Sequence, residues 1–554
     1  MNFRGPVFTT PPSKGAVGDA LGINASTERL YGGVFPGMNN AVRHVRVYST
    51  LCWAVNTVWE TLDGRRVTAP ELRRTMSRML WKMQLLLSWS ATVAGESGFP
   101  GKSRFDDAPG TVTLTREAFP DVATSFLDDV WYRPSLVGGF RFLEAGDGRD
   151  KGTYKCTPAG KKLAKAYEDV ASQWLSPKLF TWLKSSEDVE CTLKRLEKLR
   201  PVLSLTKPDP AEIAAFVKQF YDVEPRRHAS ILLALRSLEA LEADRPCSHS
   251  TDRIRHTMAA GMTPFGRLVD MDGISKIQGQ WTVLQLRALQ RLALDTMLSL
   301  LEREIFRREC DGLSRNQAQV VEGILDAFKK EGGAQFLSGP LSEPLEHLKE
   351  FQGQYPTLQQ ASMSDEKHRF YIGDLKTRLR SLSNADWATA QPLPLAVQAL
   401  LVCAAEAQNL AKNPEAAKHL GSDPGRCSLK ELASAAQGHL SATGAEFVAH
   451  VFYKFVIGQH LRVAKARSYA VSDGADRFVF ALEDAELSRN SVGISPDFVR
   501  PGDTADTLYN VLLLLANSRK LEAVGLDSTD KGPNRVRALF RLKPSGRQLL
   551  KKQS

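Results

Sequence analysis

The same short pattern occurs twice in this chain, once near residue 150 and once close to residue 540. Three segments recur in the same order, and they are residues 142–145, 150–152 and 154–163 in the first copy and 520–523, 530–532 and 540–549 in the second. Each copy is typical of a short strand, a glycine-containing turn, a returning strand and a helix. A hairpin followed by a helix closes a winged-helix module, so the pattern predicts one such module near each end of the chain.

Glycine and proline give both copies the same local signals. Gly152 and Gly532 permit the positive φ angles that the tip of a hairpin requires. Pro158 and Pro544 stand where the fixed φ of proline favours the first turn of a helix. Both copies therefore predict a hairpin tip and a helix start at matching positions.

Both copies are also rich in lysine and arginine. In the second copy no acidic residue occurs from Lys531 to residue 554. Such a surface would neutralise several phosphates, so its affinity for nucleic acid would fall steeply with salt and would carry little base specificity. The residues predicted to contact nucleic acid are Lys151, Lys155, Lys161, Lys162, Lys531, Arg535, Arg537, Arg541 and Arg547. The alternative is that the hairpins dock onto protein, since winged modules serve both purposes.

Composition permits nucleic-acid binding without requiring it. The 73 Lys and Arg residues stand against 62 Asp and Glu residues, which gives a net charge of +11. The seven cysteines contain no CxxC pair, as is typical of a protein in a reducing compartment. The longest apolar run, residues 511–516, is too short to cross a bilayer. The sequence therefore predicts a soluble, cytoplasmic protein with no membrane partner.

Apolar residues recur at helical spacing through most of the chain. The predicted helices are 40–62, 70–94, 116–132, 189–199, 210–221, 225–244, 282–310, 315–330, 365–382, 395–411, 428–440, 445–467 and 503–519, with short strands at 111–114 and 476–482. The fold class is thus mainly α, a multi-domain helical scaffold with a winged-helix-like module near each end. The predicted divisions are an irregular arm (1–30), an N-terminal helical and winged domain (31–183), a helical middle domain (184–412) and a C-terminal helical and winged domain (413–554).

Two further groups of arginines carry charge on predicted helices. Arg43 and Arg46 lie three residues apart and so share a helix face, where they are candidates for contact with a phosphate or a partner protein, although a solvated face is the commoner outcome. The predicted helix 282–310 carries several arginines, and a solvated face is again favoured. These residues are Arg287, Arg291, Arg303 and Arg307.

Catalytic motifs are largely absent from the sequence. Residues 95–103 approach a phosphate-binding P-loop, but Glu96 occupies the position of its first glycine and Pro100 removes a backbone donor. One tight cluster has metal-capable side chains, but neighbouring arginines disfavour a cation there; its members are Cys247, His249, Asp252 and His256. No cofactor, no metal and no catalytic residue is predicted, and an enzyme is the less favoured class.

Two short stretches resemble a known family. Residues 31–37 (YGGVFPG), followed by Arg46 and Trp53, resemble the opening of an uncharacterised family of bacterial proteins from antiphage defence islands, encoded near helicases and phospholipase-D-like nucleases. A second group resembles the C-terminal part of the family, namely Gln459, His460, Leu461, Ala464, Arg477, Phe478 and Asp503. The resemblance implies a helper in a multi-protein antiviral defence complex, and it implies no catalytic residue.

Three functional hypotheses follow. The leading one is a non-catalytic DNA-binding subunit of a bacterial defence complex, which contacts the backbone of double-stranded DNA through basic wings and works with a helicase, nuclease or ATPase. The second is a kleisin-like scaffold that bridges a chromosome-organising ATPase, since such subunits have a winged module at each end. The third is a nuclease with an unrecognised active site, because geometry rather than spacing defines a site.

Overall fold

The computed structural model describes residues 19–38, 43–63, 67–96, 105–106, 110–119, 127, 132–148, 151–346, 372–383, 392–421, 425–470, 478–489, 507–525 and 538–551. The fold is mainly helical, as predicted. The chain forms two compact units, and each is assembled from two separate stretches of sequence. One, the central unit, contains Met1–Tyr31 and His256–Thr504, and the other, the hairpin unit, contains Gly32–Arg255 and Ala505–Ser554.

This division differs from the predicted one. The predicted boundary after residue 183 falls inside the hairpin unit, and the boundary after residue 412 falls inside the central unit. Both copies of the sequence repeat belong to the hairpin unit, although 356 residues lie between them. Part of the predicted irregular arm is also ordered, because a helix begins at Ile23.

The hairpin unit contains most of the strands that the structure describes. Its helices are Val45–Leu62, Ala69–Val93, Pro158–Trp174, Pro177–Lys184, Leu193–Leu203, Pro210–Asp222, Pro225–Asp244, Leu508–Asn517 and Pro544–Lys551, with a π-helical turn at Pro134–Gly139. Its strands are Thr111–Thr113, Leu143–Ala145, Tyr154–Cys156, Glu190–Thr192, His249–Ser250, Leu521–Val524 and Leu539–Leu542. The helices Ile23–Val34 and Thr251–Ala260 contain the points where the chain passes between the units.

The predicted helix at 189–199 is wrong in its first turn. Residues Glu190–Thr192 form a strand that pairs antiparallel with Thr111–Thr113, and the helix begins only at Leu193. Thr192 caps that helix, because its hydroxyl accepts a hydrogen bond from the backbone NH of Arg195 at 3.2 Å. Pairing with a distant strand therefore overrides the helical pattern of the residues before the cap.

Aromatic rings fill the centre of the hairpin unit around the helix Val45–Leu62. The ring of Tyr48 lies 5.2 Å from Phe140 and 5.1 Å from Phe216, measured between ring centroids, and its hydroxyl donates to Ser135 at 2.9 Å. Tyr48 and Phe140 are fully buried. Because Phe140 comes just before the first hairpin, this packing fixes the start of that hairpin against the core helix.

Arg227 ties three backbone segments of this unit together. Its guanidinium is buried and donates to the carbonyl oxygens of Phe220 (2.8 Å), Pro36 (2.8 Å) and Gly139 (3.0 Å). A Cβ atom on Gly37 would lie 2.1 Å from the Cα of Gly139, so the two backbones pass in direct contact. The glycine that ends the stretch 31–37 is therefore explained by backbone packing.

The central unit is built around one 36-residue helix, Ser275–Cys310. Its other helices include Gln317–Phe328, Ala334–Ser338, Ile372–Ser383, Leu393–Leu410, Pro414–Leu420, Leu429–Gly438, Gly444–His450 and Gly458–Ala470, with a π-helical turn at Val451–Ile457 and a kink at Glu331 and Gly332, whose φ and ψ are not helical. The strands Phe480–Glu483 and Glu486–Arg489 form a hairpin. The apolar core runs along the long helix and the helix Leu393–Leu410 that packs against it.

The arginines of the long helix are not all on a solvated face, contrary to the prediction. Arg287 and Arg291 are only 3% and 5% exposed. Arg287 donates to the carbonyl oxygens of Arg426 and Cys427, which lie on the loop before another helix. Arg307, in contrast, is half exposed and pairs with Glu304 at 2.7 Å. Burial of the first two arginines depends on residues far away in the chain, which no local pattern reveals.

One helix in the described part of the chain, Leu393–Leu410, is long and apolar enough to cross a membrane by length and composition alone. Within the central unit 72% of it is buried. It packs against the long helix, so its apolar surface serves the core.

Candidate nucleic-acid interface

The structure contains a hairpin followed by a helix at both copies of the repeat. In the first, Leu143–Ala145 pairs antiparallel with Tyr154–Cys156, and Leu143 lies opposite Cys156. In the second, Leu521–Val524 pairs with Leu539–Leu542, and Leu521 lies opposite Leu542. We call these hairpin 1 and hairpin 2. A helix that starts with proline follows each one, at Pro158 and at Pro544.

The two copies agree in backbone detail as well as in sequence. Arg141 and Arg519, two residues before the first strand of each hairpin, both adopt a positive φ, of 55° and 60°. In both copies the residue before the proline donates its backbone NH to the residue that precedes the first strand. These bonds are Thr157 NH to Phe142 O at 3.0 Å and Lys543 NH to Lys520 O at 3.2 Å. The repeat is therefore a repeat of structure, since non-glycine residues seldom adopt a left-handed conformation.

A glycine in the first turn of each helix makes this geometry possible. A Cβ atom on Gly160 would lie 2.0 Å from the carbonyl oxygen of Phe142, and one on Gly546 would lie 2.3 Å from the carbonyl oxygen of Lys520. A hydroxyl then bonds the carbonyl of the left-handed arginine in each copy, from Thr157 to Arg141 at 2.8 Å and from Ser545 to Arg519 at 2.6 Å. The helix start is thereby held tightly against the base of the hairpin.

All four cationic residues predicted in the first copy are on the surface. Lys151 lies in the turn, Lys155 in the second strand, and Lys161 and Lys162 in the first turns of the helix, and all four are exposed. Among the described residues none of the four forms an ion pair, although Lys155 lies opposite Glu144 in the hairpin register. One turn further on, Lys165 does pair with Asp169, at 2.8 Å. The first copy therefore presents four cations whose charge is not neutralised by a described carboxylate.

Sequence patterns did not indicate two neighbours of hairpin 1. Trp59 is 37% exposed, and its indole NH donates to the carbonyl oxygen of Tyr154 at 2.7 Å. The ammonium of Lys155 lies 5.9 Å from the centroid of the Trp59 ring, within the range of a cation–π contact. The side chain of Arg73 passes close to Gly152 at the hairpin tip. An aromatic residue and a further cation therefore accompany the predicted lysines.

The second copy differs, because two of its predicted arginines are paired with acids from elsewhere. Arg541 pairs with Glu522, its partner across hairpin 2, at 2.6 Å. Arg547 pairs with Glu239 at 3.4 Å and also with Glu242, both on the helix Pro225–Asp244. Because these carboxylates lie far away in sequence or on the other strand, the acid-free run from residue 531 is offset at these two positions. Lys531, Arg535 and Arg537 lie outside the residues that the structure describes.

Arg43 lies just before the helix Val45–Leu62 and Arg46 lies in its first turn, and the two arginines have different environments. Arg46 is only 1% exposed and forms an ion pair with Glu212 at 2.9 Å. Because its side chain is buried inside the unit, the predicted contact with a phosphate or partner protein at the surface is wrong for this residue. Arg43 is half-buried, and its Nε donates to Asn510 at 2.9 Å. Arg43 also lines a cavity of about 610 Å³ in this unit.

Gln459 and His460, two of the residues that carried the family resemblance, have structural partners in the central unit, whereas Arg477 and Asp503 lie outside the described residues. Gln459 donates its side-chain amide to the carbonyl oxygen of Leu21 at 2.7 Å. The Nδ1 of His460 lies 3.1 Å from the carbonyl oxygen of Ala20, and its Nε2 accepts the backbone NH of Val479 at 2.9 Å. This arrangement describes a neutral imidazole, in which Nδ1 carries the proton. The motif therefore anchors residues 20–21 within the unit.

No family model matches the chain, and no match is found among curated proteins or among solved structures.

Proposed function

We propose that this protein is a non-catalytic, DNA-binding subunit of a bacterial antiviral defence complex and that it contacts the backbone of double-stranded DNA through two winged modules. The observation that carries the proposal is the cationic surface of the first copy, where Lys151, Lys155, Lys161 and Lys162 are exposed without ion pairs to described residues. Lysines of this kind on a hairpin and the helix after it suit contact with successive phosphates.

The geometry of the repeat supports the interpretation as winged modules. Each hairpin is held against the helix that follows it by a backbone hydrogen bond and by a glycine in close contact with a carbonyl oxygen. A hairpin held in this way presents its basic residues in a fixed orientation, so binding costs less conformational entropy. Trp59 and Arg73 add an aromatic face and a cation beside hairpin 1.

The placement of both hairpins in one compact unit favours this proposal over a kleisin-like scaffold. A bridging subunit uses its two end modules at two different places on its partner. Here residues 505–554 belong to the same unit as residues 32–255. Hairpin 2 has its third strand, His249–Ser250, from the other stretch of that unit. The two modules are thus parts of a single body.

The defence complex, with a helicase, nuclease or ATPase as partner, is proposed on the sequence resemblance alone. The motifs concerned, at 31–37 and at 459–461, have structural contacts within each unit. Copurification of the tagged full-length chain with the products of neighbouring genes tests this part, and recovery of the chain alone under low salt counts against it.

The DNA-binding part is tested by an electrophoretic shift assay with duplex DNA at several salt concentrations. The variant Lys151→Gln/Lys161→Gln/Lys162→Gln should bind more weakly, and the slope of log affinity against log salt should fall by about 0.9 for each phosphate contact that is lost. Lys165→Gln is the matched control on the same helix, because the Lys165 charge is already paired with Asp169. Equal losses in both variants, or no binding by the native chain, would overturn the proposal.

A further inference from the structure

A cavity of about 610 Å³ in the hairpin unit has charges of mainly one sign. Its basic members are Arg43, His44, Arg200, Lys207 and Lys543. Its two carboxylates are Glu96 and Glu522. Several elements contribute to it: the start of Val45–Leu62, the turn after Ala69–Val93, the end of Leu193–Leu203, the helix Leu508–Asn517 and hairpin 2.

Both carboxylates are already engaged by other groups. Glu96 accepts hydrogen bonds from the hydroxyl of Ser204 at 2.8 Å, the backbone NH of Leu205 at 3.1 Å and the hydroxyl of Thr206 at 3.0 Å. Glu522 receives two bonds from the guanidinium of Arg541, at 2.6 and 3.1 Å. The negative charge in the cavity is therefore committed to its walls.

Three of the basic residues are engaged far less, whereas Arg43 donates its Nε to Asn510 at 2.9 Å. Arg200, Lys207 and Lys543 form no ion pair with a residue that the structure describes. Arg200 and Lys207 are exposed and Lys543 is half-buried, so all three can reorient toward a ligand. Three such cations around one space attract a group with more than one negative charge, and phosphate groups have that property.

The remaining wall suits the other part of a ligand. Tyr509, Leu513 and Ala516 provide an apolar side on one helix. The ring of Tyr509 is held in place, with its centroid 6.0 Å from that of Phe540 in an edge-on contact and its hydroxyl accepting the backbone NH of Ala538 at 3.4 Å. Ser90 and Asn517 add polar groups at the margin. The volume lies in the range of small-molecule sites, which are apolar with a few converging polar groups.

We infer that this cavity binds a small phosphorylated ligand with a flat apolar group, of the nucleoside phosphate class. The phosphates contact Arg200, Lys207 and Lys543, and the base lies against Tyr509. Lys543 and Glu522 belong to hairpin 2, so a bound ligand links that hairpin to the helix Leu193–Leu203. The inference does not rest on the observation that carries the proposed DNA binding, since the four exposed lysines of the first copy take no part in the cavity.

Isothermal titration of the full-length protein with ATP, with adenosine and with inorganic phosphate tests the inference. ATP should bind, and adenosine should bind at least about tenfold more weakly, because the charge-assisted contacts carry most of the affinity. Arg200→Met and Lys207→Met should each weaken ATP binding about tenfold or more. Lys198→Met is the matched control, because it removes an exposed cation from the same helix two residues from Arg200 and outside the cavity.

The same phosphate chemistry is present in a DNA backbone, and competition separates the two sources. ATP binding that persists when the protein is saturated with duplex DNA supports the small-molecule ligand. Displacement of ATP by DNA, together with an equal loss of DNA and ATP affinity in Arg200→Met, overturns it. Equal affinity for ATP and adenosine, or unchanged ATP affinity in both cavity variants with native unfolding temperatures, overturns it as well. The variant Lys151→Gln/Lys161→Gln/Lys162→Gln should bind ATP as tightly as the native chain, even where it no longer binds DNA.

Discussion

Arg46 and Glu212 form an ion pair in the interior of the hairpin unit, with Nη2 of the arginine 2.9 Å from Oε2 of the glutamate and both side chains at most 1% exposed. The arginine also donates to the carbonyl oxygens of Val202 at 2.6 Å and Lys207 at 2.8 Å. The glutamate accepts from the hydroxyl of Ser49 and from the backbone NH of Asp209 at 2.8 Å. This network joins the helix Val45–Leu62 to the loop before the helix that carries Glu212.

Loss of one partner should destabilise the unit strongly. Arg46→Ala leaves the Glu212 carboxylate buried without its counter-charge, which costs about 3–5 kcal/mol of unfolding free energy. The double variant Arg46→Met/Glu212→Leu should cost clearly less, because neither charge remains in the core. Chemical denaturation followed by circular dichroism measures both. Arg78→Ala is the control, since the Arg78–Glu187 pair is exposed and contributes little. If Arg46→Ala is as stable as the native chain, the buried Arg46–Glu212 ion pair is contradicted.

The burial of Arg46 also explains where sequence patterns stop being informative. Helix starts were predictable because they depend on local groups, and the helix Pro225–Asp244 begins at the proline that marks its start in the sequence. The partner of Arg46 lies 166 positions away, and no spacing within one helix reports it. The strand Glu190–Thr192 was missed for the same reason, since its pairing partner is Thr111–Thr113.

The sequence predicts where the two hairpins of the candidate site lie, but it does not predict which of their basic residues are paired with acids. Both hairpins follow from turn glycines and helix-starting prolines within each copy, and the structure contains both. Neutralisation of Arg547 was not predictable, because Glu239 and Glu242 come from a helix about 300 positions earlier. Trp59 was missed because its helical spacing is that of a core residue, whereas its side chain is 37% exposed and lies within cation–π distance of Lys155.

The helix-start glycines of the two copies should be equally intolerant of a side chain. Gly160→Ala and Gly546→Ala each place a methyl group in contact with a backbone carbonyl that is fixed by the hairpin, so each should lower the unfolding free energy by about 1–3 kcal/mol. Thermal unfolding provides the measurement. Gly138→Ala is the control, because no atom lies within 4 Å of the position that its new methyl group would take and that glycine is exposed on a helical turn. An unchanged unfolding temperature in Gly160→Ala or Gly546→Ala would contradict this expectation, because the backbone at the base of the hairpin would then be able to shift.

His460 should make the central unit sensitive to acid. Burial lowers the pKa of His460 from its ordinary 6.5 to about 4, so the unfolded chain binds a proton that the folded chain does not between these two values. Stability therefore falls as the pH is lowered from 6.5 to 4, by up to about 1.4 kcal/mol per pH unit from this residue. Below the lower value both states are protonated, and above the higher value neither is.

The variant His460→Gln isolates this contribution. It should be less stable than the native chain at a pH of about 7.5, because the contacts to Ala20 and Val479 are lost or weakened. Its unfolding free energy should then depend less steeply on pH between 4 and 6.5, and the two pH profiles should run parallel above a pH of about 7. Parallel profiles over the whole range would contradict a neutral buried imidazole.

Lys161 and Arg547 occupy the same position in the two copies, two residues before the buried leucines Leu163 and Leu549, yet their surroundings differ. Lys161 is exposed and has no ion pair with a described residue, whereas Arg547 pairs with Glu239 and Glu242. Arg547→Gln should therefore lower stability, by about 1 kcal/mol, because Glu242 is almost fully buried and loses its counter-charge, although it keeps the hydrogen bond from the backbone NH of Leu542. Lys161→Gln should leave stability unchanged and should reduce the salt dependence of DNA binding, since its charge is available to a phosphate.

Denaturation curves and salt-dependent shift assays on the two variants measure both properties side by side. The opposite pattern, a stability loss at Lys161 and a weaker salt dependence at Arg547, would move the DNA contact from the first copy to the second.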